Sequence, residues 1–545
     1  MMSILAFLAA VSAAATAWGQ MADLVIENAT IHTLNSARPT ARAVAVQGGL
    51  IVAVGEDVSQ HIDSATNRID AQGATLVPGF VDSHAHLRGL GAQLENLDLR
   101  HASSLDEIAA VIRQSASSLP ASEWIIGRNW DQTRWGGDFP TEAPLTEAAP
   151  DHPVFLTRVD GHASWANRKA LELAGITAAT PDPPGGRIIR DARGQPTGIL
   201  IDRAQELVRS KMPPLTDEAA ERQIARAARE CARLGLTSIH DAGITEQDLA
   251  AYRSLLRKGE LPVRVYAMIG GDGPLWREFL KKGPEIGEML TIRSIKLMAD
   301  GALGSRGAAL LEPYADDPGN TGLLLLDRNQ IERIAREAVS RGFQVNTHAI
   351  GDRANRVVLE AYANVLGGRN NRRFRIEHAQ IVASEDFPLF AENSVIASVQ
   401  ATHCTSDMRW AEARVGSSRL QGAYAWRTFL EHGIPVANGS DFPVEDPNPL
   451  WGFYSSVTRQ DHDGEPRGGW RPAERLTRDE ALRSWTLTGA YAAFEEDRKG
   501  SIEPGKLADL VLLSKDILAV PERELLQTRV LLTIIGGEVV HSELP

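Results

Sequence analysis

Pro78-Gly79-Phe80-Val81-Asp82-Ser83-His84-Ala85-His86 is a largely apolar run that ends in two histidines at positions i and i+2. Successive side chains on an extended backbone point to opposite faces, so His84 and His86 share a face and can grip one metal ion together. Reading outward, apolar β-runs recur at Leu76 to Asp82, Leu236 to His240, Val263 to Ile269, Ile292 to Met298, Gln344 to Thr347, Phe374 to Glu377, Val395 to Val399 and Ile434 to Asn438. Helical patterns such as Asn329 to Ser340 and Arg353 to Val365 lie between several of them. Eight β-runs alternating with helices are the signature of parallel βα units, and the α/β fold they imply is a (β/α)8 TIM-like barrel.

The two ends of the chain have a different texture. Leu24 to Leu34, Ala43 to Val54 around Gly48-Gly49, and Asn67 to Val77 read as an antiparallel β unit, and Ala508 to Leu513 and Val530 to Val540 repeat that texture at the far end. The expectation is one small β-sandwich built from residues 21–77 and 491–545, flanking a barrel over residues 78–490. The stretch of about residues 87–234, between the first two barrel strands, is too long for a normal βα connection, so it is expected to be an insertion with structure of its own over the barrel mouth.

Barrels of this kind gather catalytic groups at the C-terminal ends of their strands. Those ends carry His84 and His86 on the first run, Lys296 on the fourth, His348 after the fifth, His378 after the sixth and, through Gly439-Ser440, Asp441 after the eighth. A single histidine is more often a hydrogen-bonded structural residue. Ligand-type residues at five strand ends of one chain point to a metal site.

The run from Pro78 to His86, with the closing Gly500-Ser501-Ile502-Glu503-Pro504-Gly505-Lys506-Leu507-Ala508-Asp509-Leu510, resembles the amidohydrolase superfamily. Within it the chain is similar to the YtcJ-like group and to N-substituted formamide deformylases, through Gly127-Arg128-Asn129-Trp130-Asp131, Val159-Asp160-Gly161-His162, Lys296 with Asp300-Gly301, Asn346 to Asp352 and Glu377-His378-Ala379. The resemblance implies a metal-dependent hydrolase with one or two divalent ions. His84, His86 and Asp441 would hold the more buried ion, and His348 and His378 the second. It also implies a carboxylated Lys296 as an anionic bridge, the alternative being a lysine paired with a substrate carboxylate or a nearby aspartate. Asp441 would double as general base. Zinc is the expected metal, although imidazole and carboxylate donors suit Mn, Fe and Co as well.

Other residues carry weaker signals. His403, past the seventh run, is expected either to donate to a substrate carbonyl or to play a structural part; Asp160 and His162 are expected to reach over the metals, with a turn-stabilising bond as the plainer account of Asp160. Trp130 and Trp165 are candidate pocket walls, with core packing as the default for any tryptophan. On that basis the substrate is expected to be a small neutral amide, carbamate or N-formyl compound with an apolar or aromatic substituent, while Arg128, Arg134 and Arg158 leave a carboxylate-bearing substrate open. A deaminase of the same superfamily is a rival, but the residues after His348 are Ala349, Ile350, Gly351 and Asp352, with no glutamate to shuttle protons. A hydantoinase-like cyclic amidase is another, its lysine expected much closer to the first histidine pair. A binding protein on an inactive barrel is disfavoured because no expected ligand is missing.

Composition bounds the rest. The 545 residues are 43% hydrophobic and 23% charged, as in a soluble globular protein with a large core. A net charge of −13, with no continuous run of Lys or Arg, argues against nucleic acid as a partner. Cys231 and Cys404 are too few for a disulfide framework or a thiolate metal site. Residues 1–20 run apolar to Ala15-Thr16-Ala17, a small-x-small cleavage pattern that predicts a signal peptide and a periplasmic or secreted protein, although no Lys or Arg precedes the run. A start at Met21 would make the protein cytoplasmic instead. No stretch is long and apolar enough for a membrane span, the partner is a small-molecule substrate, and self-association is left open.

Overall fold

The computed structural model describes residues 21–120 and 122–544, so the export segment and its cleavage pattern lie outside the described residues. Eight parallel strands form the barrel: β1 Phe80–Ala85, β2 Leu236–Ile244, β3 Arg264–Gly270, β4 Leu290–Met298, β5 Gln344–Ala349, β6 Arg375–His378, β7 Ile396–Gln400 and β8 Val436–Gly439. They pair in sequence order from β1 to β8, and a short strand, Glu285–Ile286, adds antiparallel to β4. Their near-continuous burial is what parallel strands covered on both sides require. The packing helices follow the same logic: Asp217–Arg233 turns Ala220, Ile224, Ala227, Ala228 and Cys231 inward, and the Thr216 hydroxyl caps it by accepting from the Ala219 N–H.

Between β8 and β1 there is no regular ladder. The gap is bridged just past the strand ends, where the Asp441 N–H donates to the His84 carbonyl and the His86 N–H to the Phe442 carbonyl, each at 2.8 Å. Asp82 adds to the closure by accepting from the Ser440 hydroxyl at 2.6 Å and from the Ser440 and His84 N–H groups at 3.1 Å. Gly439 is required there, because a Cβ would stand 2.6 Å from Asp82 Oδ1 and from the His84 nitrogen.

The first expected strand is in fact two. Thr75–Pro78 belongs to a terminal sheet, pairing with Leu510–Leu513 and Thr30–His32, and the chain then crosses Gly79 into β1. A Cβ at Gly79 would meet Thr237 Oγ1 at 2.2 Å, so the crossing admits no side chain. The terminal unit is mixed rather than antiparallel: Leu24–Glu27 runs parallel to Asn67–Asp70, and Thr30–His32 parallel to Thr75–Pro78. Its two sheets, of four and six strands, share a core of Ile26, Val44, Val46, Leu76, Leu510, Leu512 and Ile534.

Between β1 and β2 the chain forms its own six-stranded mixed sheet, in the order Gly186–Arg190, Pro196–Asp202, Ala163–Ala166, Val154–Arg158, Ile125–Trp130 and Leu97–Asp98. Its core includes Ile108, Ile112, Leu145, Leu156, Trp130 and Trp165. No helix among the described residues is long and apolar enough to cross a membrane.

Candidate metal centre and its cavity

The strand ends of the barrel, with strand ends and turns of the inserted sheet, line a half-open cavity of about 1020 Å3. Six residues expected as ligands, His84, His86, Lys296, His348, His378 and Asp441, all line it. Donor atoms of His84, His378 and Asp441 lie within 4.8 Å of one another, the tightest grouping that could hold an ion among the described residues. It crosses the expected division, since His378 was assigned to the second ion. His86 Nε2 is 3.1 Å and His84 Nε2 3.5 Å from Asp441 Oδ1, so the i, i+2 pair converges on that carboxylate. The His348 ring lies 4.5 Å from the His378 ring, centre to centre.

Partners behind the ligands fix their orientation. His84 Nδ1 meets Glu377 Oε2 at 2.5 Å and His378 Nδ1 meets Gln400 Oε1 at 2.7 Å, which leaves both Nε2 atoms for a metal. Glu377 and His378 are adjacent on β6, yet both face the interior. His378 has φ +76° and Ala379 φ +43°, which breaks the alternation of the strand. Asp441 likewise has φ +58°. Non-glycine residues held in the left-handed region collect at functional sites, where the surrounding structure overrides their preference.

The charges follow from burial and neighbours. Burial pushes the Asp441 carboxyl up, but hydrogen bonds from His403 and His86 hold it well below the usual carboxylate range. Burial pulls the Lys296 ammonium below the usual lysine range, against the carboxylates of Glu377 and Asp441. Its Nζ stands 3.3 Å from His84 Nε2. Burial also pushes the Glu377 carboxyl up, although Arg375 and Lys296 oppose it. His403 stacks on His378 at 5.9 Å between ring centres, with Nε2 3.5 Å from Asp441 and Nδ1 3.3 Å from Glu445. Burial disfavours its charge, but those carboxylates outweigh it and raise its pKa to about 10.

The donor set fits a divalent ion: neutral imidazoles, one carboxylate held ionised, and backing carboxylate and amide groups. It contains no thiolate, since Cys231 and Cys404 are buried elsewhere.

The insertion brings His162 in, 5.7 Å from the His348 ring, with Nδ1 held 2.6 Å from Asp202. Burial opposes charge on His162 as well, yet Asp202 raises its pKa to about 9. Asp160 lines the cavity with both oxygens engaged, one by Arg158 Nη1 at 2.7 Å and the other by the His162 N–H at 3.0 Å. The turn-stabilising bond considered for Asp160 is thus present.

The tryptophans require correction. Trp130 and Trp165 are fully buried in the core of the insertion, 5.8 Å apart between ring centres, and neither lines the cavity. The Trp130 indole N–H donates to the Leu156 carbonyl at 2.9 Å. The cause is a bulge: Arg128 pairs with Thr157 but Trp130 with Arg158, and Asn129 between them has φ +73°. In a regular strand Arg128 and Trp130 would share a face. The extra residue turns Trp130 to the core and leaves Arg128 toward the cavity. The aromatic residues that do line it, Trp410 and Trp451, carried no motif signal. Sequence reasoning also assigned no role to Asp82, Glu377, Asp300 or Gln400. The first three stood inside quoted motifs, but only their partners reveal what they do. Asp300, for example, accepts from the Ile350, Gly351 and Ala309 N–H groups and ties the loop after β4 to the end of β5.

Comparison with known proteins points the same way. A family model described as "Amidohydrolase family" matches residues 68–541. The putative amidohydrolase YtcJ of Bacillus subtilis is 34% identical, covering 94% of this chain and 98% of its own length. The N-substituted formamide deformylase of Arthrobacter pascens is 30% identical, covering 95% and 98%. Among solved structures, an uncharacterized metal-dependent hydrolase from Pyrococcus horikoshii OT3 superposes with a TM-score of 0.74 at 30% identity, over 92% of this chain and 99% of that one.

Proposed function

The chain belongs to the amidohydrolase family and is a metal-dependent hydrolase, and from that premise we propose that it cleaves a non-peptide carbon–nitrogen bond in a small amide, N-formyl compound or carbamate. The observation that carries this reading is the convergence of His84, His378 and Asp441 on one point of the cavity, with His403 Nε2 3.5 Å from Asp441 beside them. A divalent ion held by these residues, zinc in our reading, would make water acidic near neutral pH and polarise a carbonyl. Asp441, ionised and hydrogen-bonded by two histidines, takes the proton of the attacking water and returns it to the leaving nitrogen. His403 and His162, both cationic, stabilise charge growing on the carbonyl oxygen. Asp160 contributes by holding the turn that presents His162.

Lys296 completes the reading. A buried amine drawn toward its neutral form can attack carbon dioxide through its nitrogen, lose one proton and become a carbamate anion. In that form it would be available as a metal ligand, and His348 and His378 would be the residues to hold a second ion. Carboxylation replaces the amine-to-imidazole contact with His84 by an anionic oxygen donor.

The test is a metal-analysed preparation assayed before and after chelation on N-benzylformamide, N-acyl amino acids, cyclic ureides and simple esters. Amide or formamide turnover that vanishes with the metal and returns on adding zinc is expected. Preferential cleavage of a cyclic ureide, or turnover that survives chelation, overturns the reading. For Lys296, carbon-13 NMR after labelled bicarbonate is expected to show a carbamate signal absent from Lys296→Ala, and that variant is expected to regain part of its activity with formate or acetate. A spectrum without the signal removes the carbamate.

A further inference from the structure

The arginines around the cavity are not alike. Arg158 gives its donors to Asp131, Asp160 and Gln132, Arg88 pairs with Asp248, and Arg409 reaches Asp131. Arg100 donates to the Pro443 and Val444 carbonyls, and Arg209 to Gln205 and Glu206. Arg128 is the exception: its side chain forms no hydrogen bond or ion pair with any described residue, and its Nε is buried without a partner. The bulge at Asn129 puts it there, on the cavity side of the strand whose next residue, Trp130, fills the core. Its guanidinium stands beside Gly161, in the turn whose next residue is His162, and His162 in turn packs against His348. Arg128 therefore lines the same cavity as the metal-site residues.

A half-buried guanidinium with no anion in hydrogen-bonding contact is costly; Arg100 and Arg209 add like charge, and the carboxylates of Asp441 and Asp160 offset it only without direct contact. Burial first, then Arg100 and Arg209, lowers its pKa to about 10 against the opposing carboxylates of Asp441 and Asp160, so it stays cationic at neutral pH. A protein that keeps five donors of fixed fork geometry free beside its reaction site has a place for a carboxylate.

We propose that Arg128 is a specificity-determining residue that binds a carboxylate on the substrate, so that the preferred substrates are anionic N-acyl, N-formyl or N-carbamoyl compounds with the acid group close to the scissile bond. This rests on the amide-hydrolase reading above and selects the carboxylate-bearing substrate that the sequence leaves open over the neutral one expected while Trp130 and Trp165 were placed in the pocket. Trp410, Leu303 and Met298 remain as apolar lining for the substituent.

The test uses metal-loaded full-length enzyme with racemic N-formyl- and N-acetylphenylalanine and their carboxamides, which differ in charge alone. We expect kcat/KM to favour the carboxylates by about tenfold to a hundredfold, the range of a charge-assisted fork. In Arg128→Met the ratio is expected to fall to about one and in Arg128→Lys to an intermediate value, both variants keeping wild-type metal content and melting temperature. A wild-type ratio near one, or a preference that survives Arg128→Met, overturns the proposal. If N-benzylformamide is hydrolysed and none of the four compounds is, the proposal is overturned; if N-benzylformamide also is left intact, it is the amide reading that fails. Arg128 is then judged by calorimetric titration with phenylacetate and phenylacetamide: tighter binding of the anion to wild type and not to Arg128→Met sustains the assignment, and equal binding overturns it.

Discussion

On the barrel side of the cavity, His84, His378 and Asp441 stand on strand ends stitched to one another, each ring or carboxylate held by a neighbouring side chain. On the facing side, Arg128 and His162 are carried by a bulge and a glycine turn, and much of the charge there is consumed internally, as in the Arg158, Asp131 and Asp160 network. The difference separates two tasks. Ligands that must meet at one point need strand ends whose positions the whole barrel fixes. Groups that choose among substrates can sit on an insertion whose loops vary without disturbing those points. The barrel wall is thus expected to govern rate and metal, and the inserted wall to govern preference.

The comparison breaks most visibly at Asp441. Asp441→Asn is expected to lower kcat by about a thousandfold or more while most of the metal stays bound, because the base is lost and the imidazoles remain. Steady-state kinetics beside metal analysis check this, and near-normal turnover would move the proton transfer elsewhere. Next is the core of the insertion. Trp130→Ala removes a side chain with no exposed surface and should destabilise the fold by about 3–5 kcal/mol, read as a lower thermal midpoint, without selectively changing substrate preference. A changed preference at normal stability would return Trp130 to the pocket. The smallest effect sharpens the barrel side: Glu377→Gln should weaken metal affinity by about tenfold to a hundredfold, since His84 loses the carboxylate that orients it. A chelator competition curve unchanged from wild type would show that Arg375 and the strand alone position His84.

The sequence by itself determined the barrel, the location of its strands to within a few residues, and that His84, His86, Lys296, His348, His378 and Asp441 share its mouth. It could do so because parallel strands covered on both faces must be apolar, and because strand ends of a closed barrel converge wherever they fall in the chain. Tertiary structure alone decided the rest. It cut the first run at Gly79, where Thr237 leaves no room for a side chain and the chain passes from one sheet to another. It drew His378 into the tightest grouping through a left-handed backbone that alternation does not foresee. It sent Trp130 to the core and Arg128 to the cavity through one extra residue in a strand, because a bulge reverses every side chain beyond it and its position depends on the register of the neighbouring strand.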